Sequence, residues 1–536
     1  MAKEPPVFLR EATGLVRGVT TFDAVGINWT AMTTCTGLIT FFSYSFLFPN
    51  ANLTLAMLLT VVAFVPLGVL YAMCTAAMAR SGGDYVFVSR ALHPALGFSL
   101  LISLNLWLLF YLAAFTNWTF TLGIAPALST IGAVSNLNYL SAVSTAVTQP
   151  LFIVVAGSVL IVITAVAGVL SSHWTLRIMA WLITIGMVSV AVMIFLFAAT
   201  SNQAFQAAFN SYSMRYTNDT NYYNTIIQTA QKNGLTTGGF SWSDTISMMP
   251  FAAYIFIYYS SMQGLGGEIK HPGRTPYTAI LITILISGLL SIGVAATYTN
   301  ALTPPFYNAI NYVYYSGLSY ALPVAPSYNF LASLLTNNIV LVVVVNIGLI
   351  TTSVALLLFT YVYTTKYFLA AAFDRILPAR LADVSDKFHT PHIGVILMAV
   401  LAIIILPIYT YFATILATLS AFVGEAVFGY LVFGLAAIAF PFAKNTKAVY
   451  ENSPIKKSLG GIPVITILGA LTVAVIGFIT YMVLVNSSYG VNSTPSLVAL
   501  IVLAGGAVLF YFGRKAYLKH TTGFDLDLVF KQIPPE

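Results

Sequence analysis

Long apolar runs alternate with short polar segments along most of the chain. Each run holds the roughly 20 apolar residues that a helix needs to cross the hydrocarbon core of a bilayer. We number the predicted helices as spans 1 to 12, and they cover residues 18–46, 53–79, 95–124, 150–170, 176–199, 246–267, 277–298, 339–371, 393–409, 412–440, 464–485 and 496–512. The pattern predicts an all-α integral membrane protein with about twelve transmembrane helices.

The composition agrees with this pattern, because 59% of the 536 residues are hydrophobic and only 7% are charged. A soluble domain has about a quarter of its residues charged. The net charge of +7 does not indicate a nucleic-acid partner, since the basic residues form small clusters at the ends of apolar runs and not one stripe. We expect the lipid bilayer and a small-molecule substrate as partners, and the sequence leaves the oligomeric state open.

Basic residues are concentrated in alternate loops. The loops after spans 2, 4, 6, 8 and 10 carry Arg80, Arg90, Arg177, Lys270, Arg274, Arg375, Arg380, Lys387, Lys444, Lys447, Lys456 and Lys457. The opposite loops at 200–244 and 300–338 hold only Arg215 and Lys232. Loops rich in Lys and Arg stay in the cytoplasm. We therefore predict a multi-pass protein of the cell membrane with both termini in the cytoplasm.

This topology divides the chain into six parts. Residues 1–17 form a cytoplasmic tail, 18–200 hold spans 1 to 5, and 201–245 form an extracytoplasmic loop. Residues 246–440 hold spans 6 to 10, 441–512 a cytoplasmic loop with spans 11 and 12, and 513–536 a cytoplasmic tail. If the two five-span blocks are inverted copies, spans 1 and 6 occupy equivalent positions.

Polar and glycine-rich stretches interrupt spans 1 and 6 at corresponding places. Residues 30–37 read TAMTTCTG, and residues 258–267 read YYSSMQGLGG. A broken helix leaves unpaired amides at one end and unpaired carbonyls at the other, which suit the carboxylate and the ammonium of a zwitterion. The candidate substrate-binding residues are Thr33, Thr34, Cys35, Thr36, Gly37, Ile257, Tyr258, Tyr259 and Ser260. Alternatively, these small and hydroxyl side chains only let helices pack closely.

Four motifs occur in a characteristic order. They are RSGGDY at 80–85, EIKHP at 268–272, DRILP at 374–378 and YENSP at 450–454. With them the chain resembles the amino acid permeases of the amino acid, polyamine and organocation transporter family. The resemblance covers spans 1 to 11. Two departures concern the breaks, because span 1 has only Gly37 where the family is glycine-rich, and Tyr258 stands near a frequent glycine.

The resemblance implies a five-plus-five inverted repeat with two further C-terminal helices. It also implies alternating access and a substrate site between the breaks of spans 1 and 6. Thr352 and Ser353 lie where sodium-coupled members of this fold place hydroxyl groups that hold the ion. As an alternative, hydroxyl side chains in membrane helices often bond to their own backbone.

Glu425 is an acid well inside the apolar run of span 10. An intramembrane acid marks a proton relay, an ion path or a partner for a cationic substrate, or it is a protonated carboxyl that joins two helices. Na⁺ or H⁺ is therefore the possible coupling ion, and we expect no other cofactor.

Arg80, Asp84 and Lys270 belong to the matched motifs, which suggest an ion-pair network that breaks when a cytoplasmic gate opens. Orientation of the loops alone is the alternative explanation.

These observations favour a secondary-active permease for amino acids, working as a symporter or an antiporter. A carrier of polyamines or other organocations is one alternative, and a transporter-like nutrient sensor is another. We expect no enzyme and no metal site, since the glycines at 264–267 follow no strand and the histidines are scattered.

Overall fold

Helices form nearly all of the regular structure in this computed structural model, which describes residues 8, 14, 15, 17–32, 34–170, 172–412 and 423–534. Among these residues, nine continuous helices are long and apolar enough to cross a membrane. They are Leu53–Ala77, Pro94–Ser135, Pro150–Leu170, His173–Ala198, Thr275–Leu302, Ile339–Phe373, His392–Tyr411, Val464–Val485 and Thr494–Thr522. The predicted all-α membrane fold is confirmed, and these helices are spans 2 to 5, 7 to 9, 11 and 12.

The other three predicted spans are divided or partly described. Span 1 consists of helices Thr21–Ala31 and Thr34–Ser43, followed by the 3₁₀ turn Ser45–Leu47. Span 6 begins with Trp242–Ser247, Met249–Ala253 and the 3₁₀ turn Tyr254–Phe256. Of span 10, the structure describes helix Val423–Ala439.

The second half of span 6, where the sequence places the interruption at 258–267, is not an α-helix in the structure. After Phe256 the chain forms only the 3₁₀ turns Ser261–Gly264 and Gly266–Glu268. Glycine disfavours a helix interior because it loses the most backbone entropy there, and this stretch holds three glycines.

The segment 201–245, predicted as a loop, contains two helices, Asn202–Thr217 and Tyr222–Lys232. Ser201 caps the first helix through its hydroxyl, which accepts a hydrogen bond from the Ala204 amide. Aromatic side chains then bury one face of the pair, since the rings of Tyr223 and Phe306 stack 4.1 Å apart. Phe306 belongs to helix Pro304–Tyr315, and Asn138–Val147 and Tyr328–Ser333 are two further short helices of the connecting segments.

The central spans have a larger share of buried residues than the peripheral spans. In its most apolar stretch, span 3 has 78% of its residues buried inside the protein, whereas span 12 has only 17%. Span 3 also continues beyond the predicted residue 124, through a π-helical stretch Thr119–Ile124 into helix Ala125–Ser135. Span 3 therefore belongs to the centre of the bundle, where a site for a solute would lie.

The end of the molecule that carries Arg80, Arg90 and Lys270 is called the basic face below. It is built from short elements between the spans: helices Gly83–Ala91 and Lys447–Glu451, 3₁₀ turns Ala379–Ala382 and Leu526–Lys531, and the hairpin of Ser458–Leu459 with Ile462–Pro463. The chain after span 12 returns to this face, where Leu526 and Phe530 are buried.

Candidate functional site

The divided regions of spans 1 and 6 lie against each other in the interior. The side-chain oxygen Oδ1 of Asn28 in span 1 accepts a hydrogen bond of 3.0 Å from the Met262 amide in span 6. Gly37 lies so close to span 6 that a Cβ atom on it would stand 2.7 Å from Cγ1 and 3.2 Å from Cα of Ile255. Only glycine allows this approach of the two backbones.

Tyr258 marks the point where the helical path of span 6 is interrupted. Ile257 is extended, with φ −67° and ψ 135°, and Tyr258 has a φ of +64° in the left-handed region. A non-glycine residue pays about 1–2 kcal/mol for that conformation. The Tyr258 amide donates to the hydroxyl of Tyr430 from span 10, and its own hydroxyl donates to the Leu104 carbonyl at 3.4 Å. These contacts hold the interruption in place.

A cavity of about 20 Å³ adjoins the two interruptions. Its walls are Ala31, Trp107, Leu108, Tyr111, Phe115, Tyr254, Ile257, Tyr258, Leu356 and Phe359. A single water needs about 10–15 Å³ of this kind of space. The cavity thus holds very little free volume, and its walls are mostly aromatic.

A second cavity of about 330 Å³ lies beyond the first, on the face opposite the basic face. Ser487 and Tyr489, from the segment after span 11, line its mouth, whereas Trp107, Tyr111 and Tyr254 line both cavities. The hydroxyls of Tyr111 and Tyr254 are hydrogen-bonded to each other. We call this second cavity the vestibule and the first the central cavity. The tyrosine pair lies between them.

The predicted substrate-binding residues divide into two groups. Ile257 and Tyr258 line the central cavity, whereas the Tyr259 hydroxyl donates to the Phe64 carbonyl in span 2. Cys35 donates from Sγ to the Gly186 carbonyl in span 5 at 3.5 Å. Of the remaining predicted residues, Thr34, Thr36, Gly37 and Ser260 are buried beside the interruptions, and Thr33 lies outside the described residues.

The aromatic wall of span 3 is missing from the sequence prediction. Trp107, Tyr111 and Phe115 follow one another at intervals of four residues, which places them on one face of the helix. That spacing was the available signal. It did not single out a site because an ordinary buried helix face has the same spacing.

Thr352, one of the two ion-coupling candidates of span 8, faces spans 1 and 5. A Cβ on Gly186 would stand 2.4 Å from Oγ1 of Thr352 and 3.3 Å from Sγ of Cys35. The hydroxyls of Thr34 and Ser353 are buried and make no hydrogen bond within the described part of the chain. Buried hydroxyls without partners are what a site for a hard cation would offer. Glu425 lies on helix Val423–Ala439, with its side chain outside the described residues.

The basic face is closed by the RSGGDY motif, which lies between spans 6 and 8. Gly82 has a φ of +86°, and a Cβ on it would stand 2.4 Å from Cβ of Ala370 in span 8. Its amide donates to the Gly264 carbonyl in span 6 at 3.0 Å. A Cβ on Gly83 would stand 2.8 Å from the backbone of Gln263. The double glycine is therefore what allows this loop to pack between the two spans.

Two buried ion pairs hold the same region together. The Arg90 guanidinium donates two hydrogen bonds of 2.7 and 2.8 Å to the Asp374 carboxylate, which also accepts from Tyr85. Lys366 in span 8 pairs with Glu268 of span 6 at 2.7 Å. Both pairs join elements that are far apart in the sequence, so they fix the closed basic face.

The predicted network among Arg80, Asp84 and Lys270 is not formed in this structure. Arg80 donates from Nε to the carbonyl of Pro534 at 2.8 Å. Asp84 points inward, where its carboxylate accepts from the Tyr71 hydroxyl at 3.2 Å, and Lys270 is exposed. A buried acid and an exposed lysine cannot meet, so the ion pairs form between other residues.

Comparison with known proteins decides the family. The family model described as amino acid permease matches residues 20–507, which is nearly the whole chain. The chain belongs to the amino acid permease family. The permease is thus a transporter of the amino acid, polyamine and organocation superfamily, as its motifs predicted. A search of the curated proteins found no match.

Proposed function

We propose that the permease is a secondary-active carrier of amino acids that binds its substrate between the interruptions of spans 1 and 6. The observation that carries this proposal is their direct contact beside a small central cavity, in a chain of the amino acid permease family. In this proposal the basic face is cytoplasmic, and both termini lie on that side.

Backbone groups would supply most of the binding of the charged substrate groups. Helix Thr34–Ser43 begins, and helix Thr21–Ala31 ends, at the interruption of span 1. The first amides of a helix favour a carboxylate, and its last carbonyls favour an ammonium group. The aromatic walls from spans 3 and 8 would then contact the remaining part of the substrate.

The unequal closure of the two faces supports alternating access as the mechanism. The wide vestibule stops at the Tyr111 and Tyr254 pair, whereas ion pairs and the RSGGDY motif close the basic face. A conformation open toward the outside needs this arrangement. Transport would require the tyrosine pair to part and close over the substrate, after which the basic face opens.

Sodium is one candidate for the coupling ion. The hydroxyls of Thr34, Thr352 and Ser353 are buried, and Thr34 begins the second helix of span 1. Hydroxyl and carbonyl oxygens are ligands suited to a hard cation. Proton coupling is the alternative, and Glu425 is its candidate within the membrane.

A carrier of polyamines or other organocations is the second candidate function. The six aromatic residues of the central cavity favour it, because aromatic faces attract cations. Among the described residues that line the central cavity and the vestibule, none is acidic, which favours an amino acid with its own carboxylate. If Glu425→Gln abolishes uptake of amines but not of amino acids, this result favours the alternative of an organocation carrier in which Glu425 pairs with the substrate.

The test begins with a thermal-shift screen of the purified permease against amino acids and amines, at several pH values with and without sodium. A ligand at a hundred times its Kd adds about 2.7 kcal/mol to the stability of the folded protein. Ligands that stabilise the permease are then offered, labelled, to proteoliposomes under a sodium or a proton gradient. Accumulation of an amino acid supports the proposal. The proposal would be overturned if only amines stabilised the permease and only amines were taken up.

A further inference from the structure

Asp84 is a buried acid, and the proposed transport mechanism assigns no role to its carboxyl group. It lies in the first turn of helix Gly83–Ala91 and is 4% exposed. Its Oδ2 accepts the hydrogen bond from Tyr71, and its Oδ1 has no hydrogen-bond partner among the described residues. No ion pair joins it to any described cation, so an ionised Asp84 would be an uncompensated buried charge.

The groups that face Asp84 are weak acids with no charge near neutral pH. Span 2 contributes Tyr71 and Cys74, span 8 contributes Tyr363 and Tyr367, and span 10 contributes Tyr430. The charged residues of the neighbouring elements have other partners: Lys366 pairs with Glu268, Arg90 pairs with Asp374, and Arg80 donates to backbone carbonyls. The surroundings therefore give an ionised carboxylate little compensation.

Burial accordingly raises the pKa of Asp84 from 3.8 to about 7, and the hydrogen bonds from Tyr71 and from its own backbone oppose this rise only in part. This pKa belongs to the closed basic face. Once water reaches Asp84, the cause of the shift disappears and the pKa returns toward 3.8.

The position of Asp84 links its burial to the state of that face. Gly82 and Gly83, directly before it, pack against Gly264 and Gln263 of span 6 and against Ala370 of span 8. Opening the basic face requires spans 6 and 8 to part from this loop. The same movement would admit water to the carboxyl group.

We propose that Asp84 is a proton-binding site of the inner gate, which takes up a proton from water on the basic face as that face closes and releases it there as the face opens. No other bond changes. The proposal rests on the proposed alternating access of the permease. The proton thus acts as a ligand of the closed form.

The sign of the pH dependence follows from the raised pKa. Proton binding stabilises the closed form fully below about pH 4, and this stabilisation is lost as the pH rises through about 7. Between pH 5.5 and pH 8, the ratio of open to closed molecules should rise about thirtyfold by this linkage. Asp84→Asn should remove that dependence because its side chain does not titrate.

The native thiol of Cys74 reports on the gate without any substrate. It lies one turn after Tyr71 in span 2 and is fully buried. The purified permease is treated with a maleimide at pH 5.5 and at pH 8, and mass spectrometry of peptides separates the modification of Cys74 from that of Cys35. The intrinsic reactivity of a thiol also rises with pH. The rate of Cys74 modification in the wild type is therefore divided by the rate of Cys74 modification in Asp84→Asn at the same pH.

This normalised rate is expected to rise about thirtyfold from pH 5.5 to pH 8. Asp386→Asn, which changes an exposed acid of the same face, should behave as the wild type.

If Asp84→Asn does not fold, Asp84→Glu replaces it and the measurement is infrared spectroscopy. The wild type should then show a protonated carboxyl band that titrates near pH 7, and this band should shift in Asp84→Glu. A normalised rate that is equal at both pH values, or no such band, would overturn the proposal. Because no substrate is present, failure of amino acid uptake would leave this result standing.

Discussion

Asp374→Asn is expected to destabilise the permease strongly, because it removes the charged partner of a buried arginine. The side chains of Arg90 and Asp374 are 1% and 0% exposed, and they share two short hydrogen bonds. Removing one member of a buried pair leaves an uncompensated charge, which costs about 3–5 kcal/mol. The exposed pair of Lys447 and Glu451, 3.9 Å apart, is the matched control, and Glu451→Gln should cost about 0.5 kcal/mol or less.

The free energy of unfolding is measured by denaturant titration in detergent micelles for the wild type and for each variant. A double variant, Arg90→Met with Asp374→Leu, separates loss of the pair from the cost of an orphaned charge. Apolar residues of similar volume can replace a buried pair with little loss. We therefore expect the double variant to be more stable than Asp374→Asn. Equal destabilisation by Asp374→Asn and Glu451→Gln would refute this reasoning.

Two further predictions concern the closed basic face. Gly82→Ala should destabilise the protein by about 1–2 kcal/mol through its left-handed backbone and by about 1–3 kcal/mol more through its clash with Ala370. A Cβ on Gly505 would meet no atom of the described residues within 4 Å, so Gly505→Ala should stay within about 1 kcal/mol of the wild type in the same titration. Deletion of residues 524–534 removes the carbonyl that Arg80 contacts and the Phe530 ring under Arg90, so maleimide should modify Cys74 faster. An unchanged rate would contradict a role for this tail in closing the face.

The apolar runs determined most of the helix bounds. Spans 4 and 11 begin and end at the predicted residues, and a proline at or directly before the start of each marks where it begins. Span 3 is longer than predicted. Gly123 and Pro126 resemble helix breakers in sequence, but a π-helical stretch and the tolerance for proline in the first turn let the helix continue to Ser135.

The interruptions of spans 1 and 6 are easier to predict from the sequence than the walls of the central cavity. Polar and glycine clusters stand out within apolar runs, whereas Trp107 and Tyr111 look like any buried aromatic residues. The ion pairs could not be predicted from spacing, because Arg90 and Asp374 are 284 residues apart. Their pairing depends on how spans 3 and 8 bring the short elements of the basic face together.

Uptake by a Gly37→Val variant tests the proposed substrate site most directly. A Cβ at this position would stand 2.7 Å from Ile255, so valine must push the interrupted regions of spans 1 and 6 apart. Purified wild type, Gly37→Val and Gly505→Ala are reconstituted in equal amounts after gel filtration shows that each is monodisperse, and uptake of the labelled amino acid found in the screen is measured. We expect uptake by the wild type and Gly505→Ala and none by Gly37→Val. Uptake by Gly37→Val at the rate of the wild type would contradict a substrate site between these two regions.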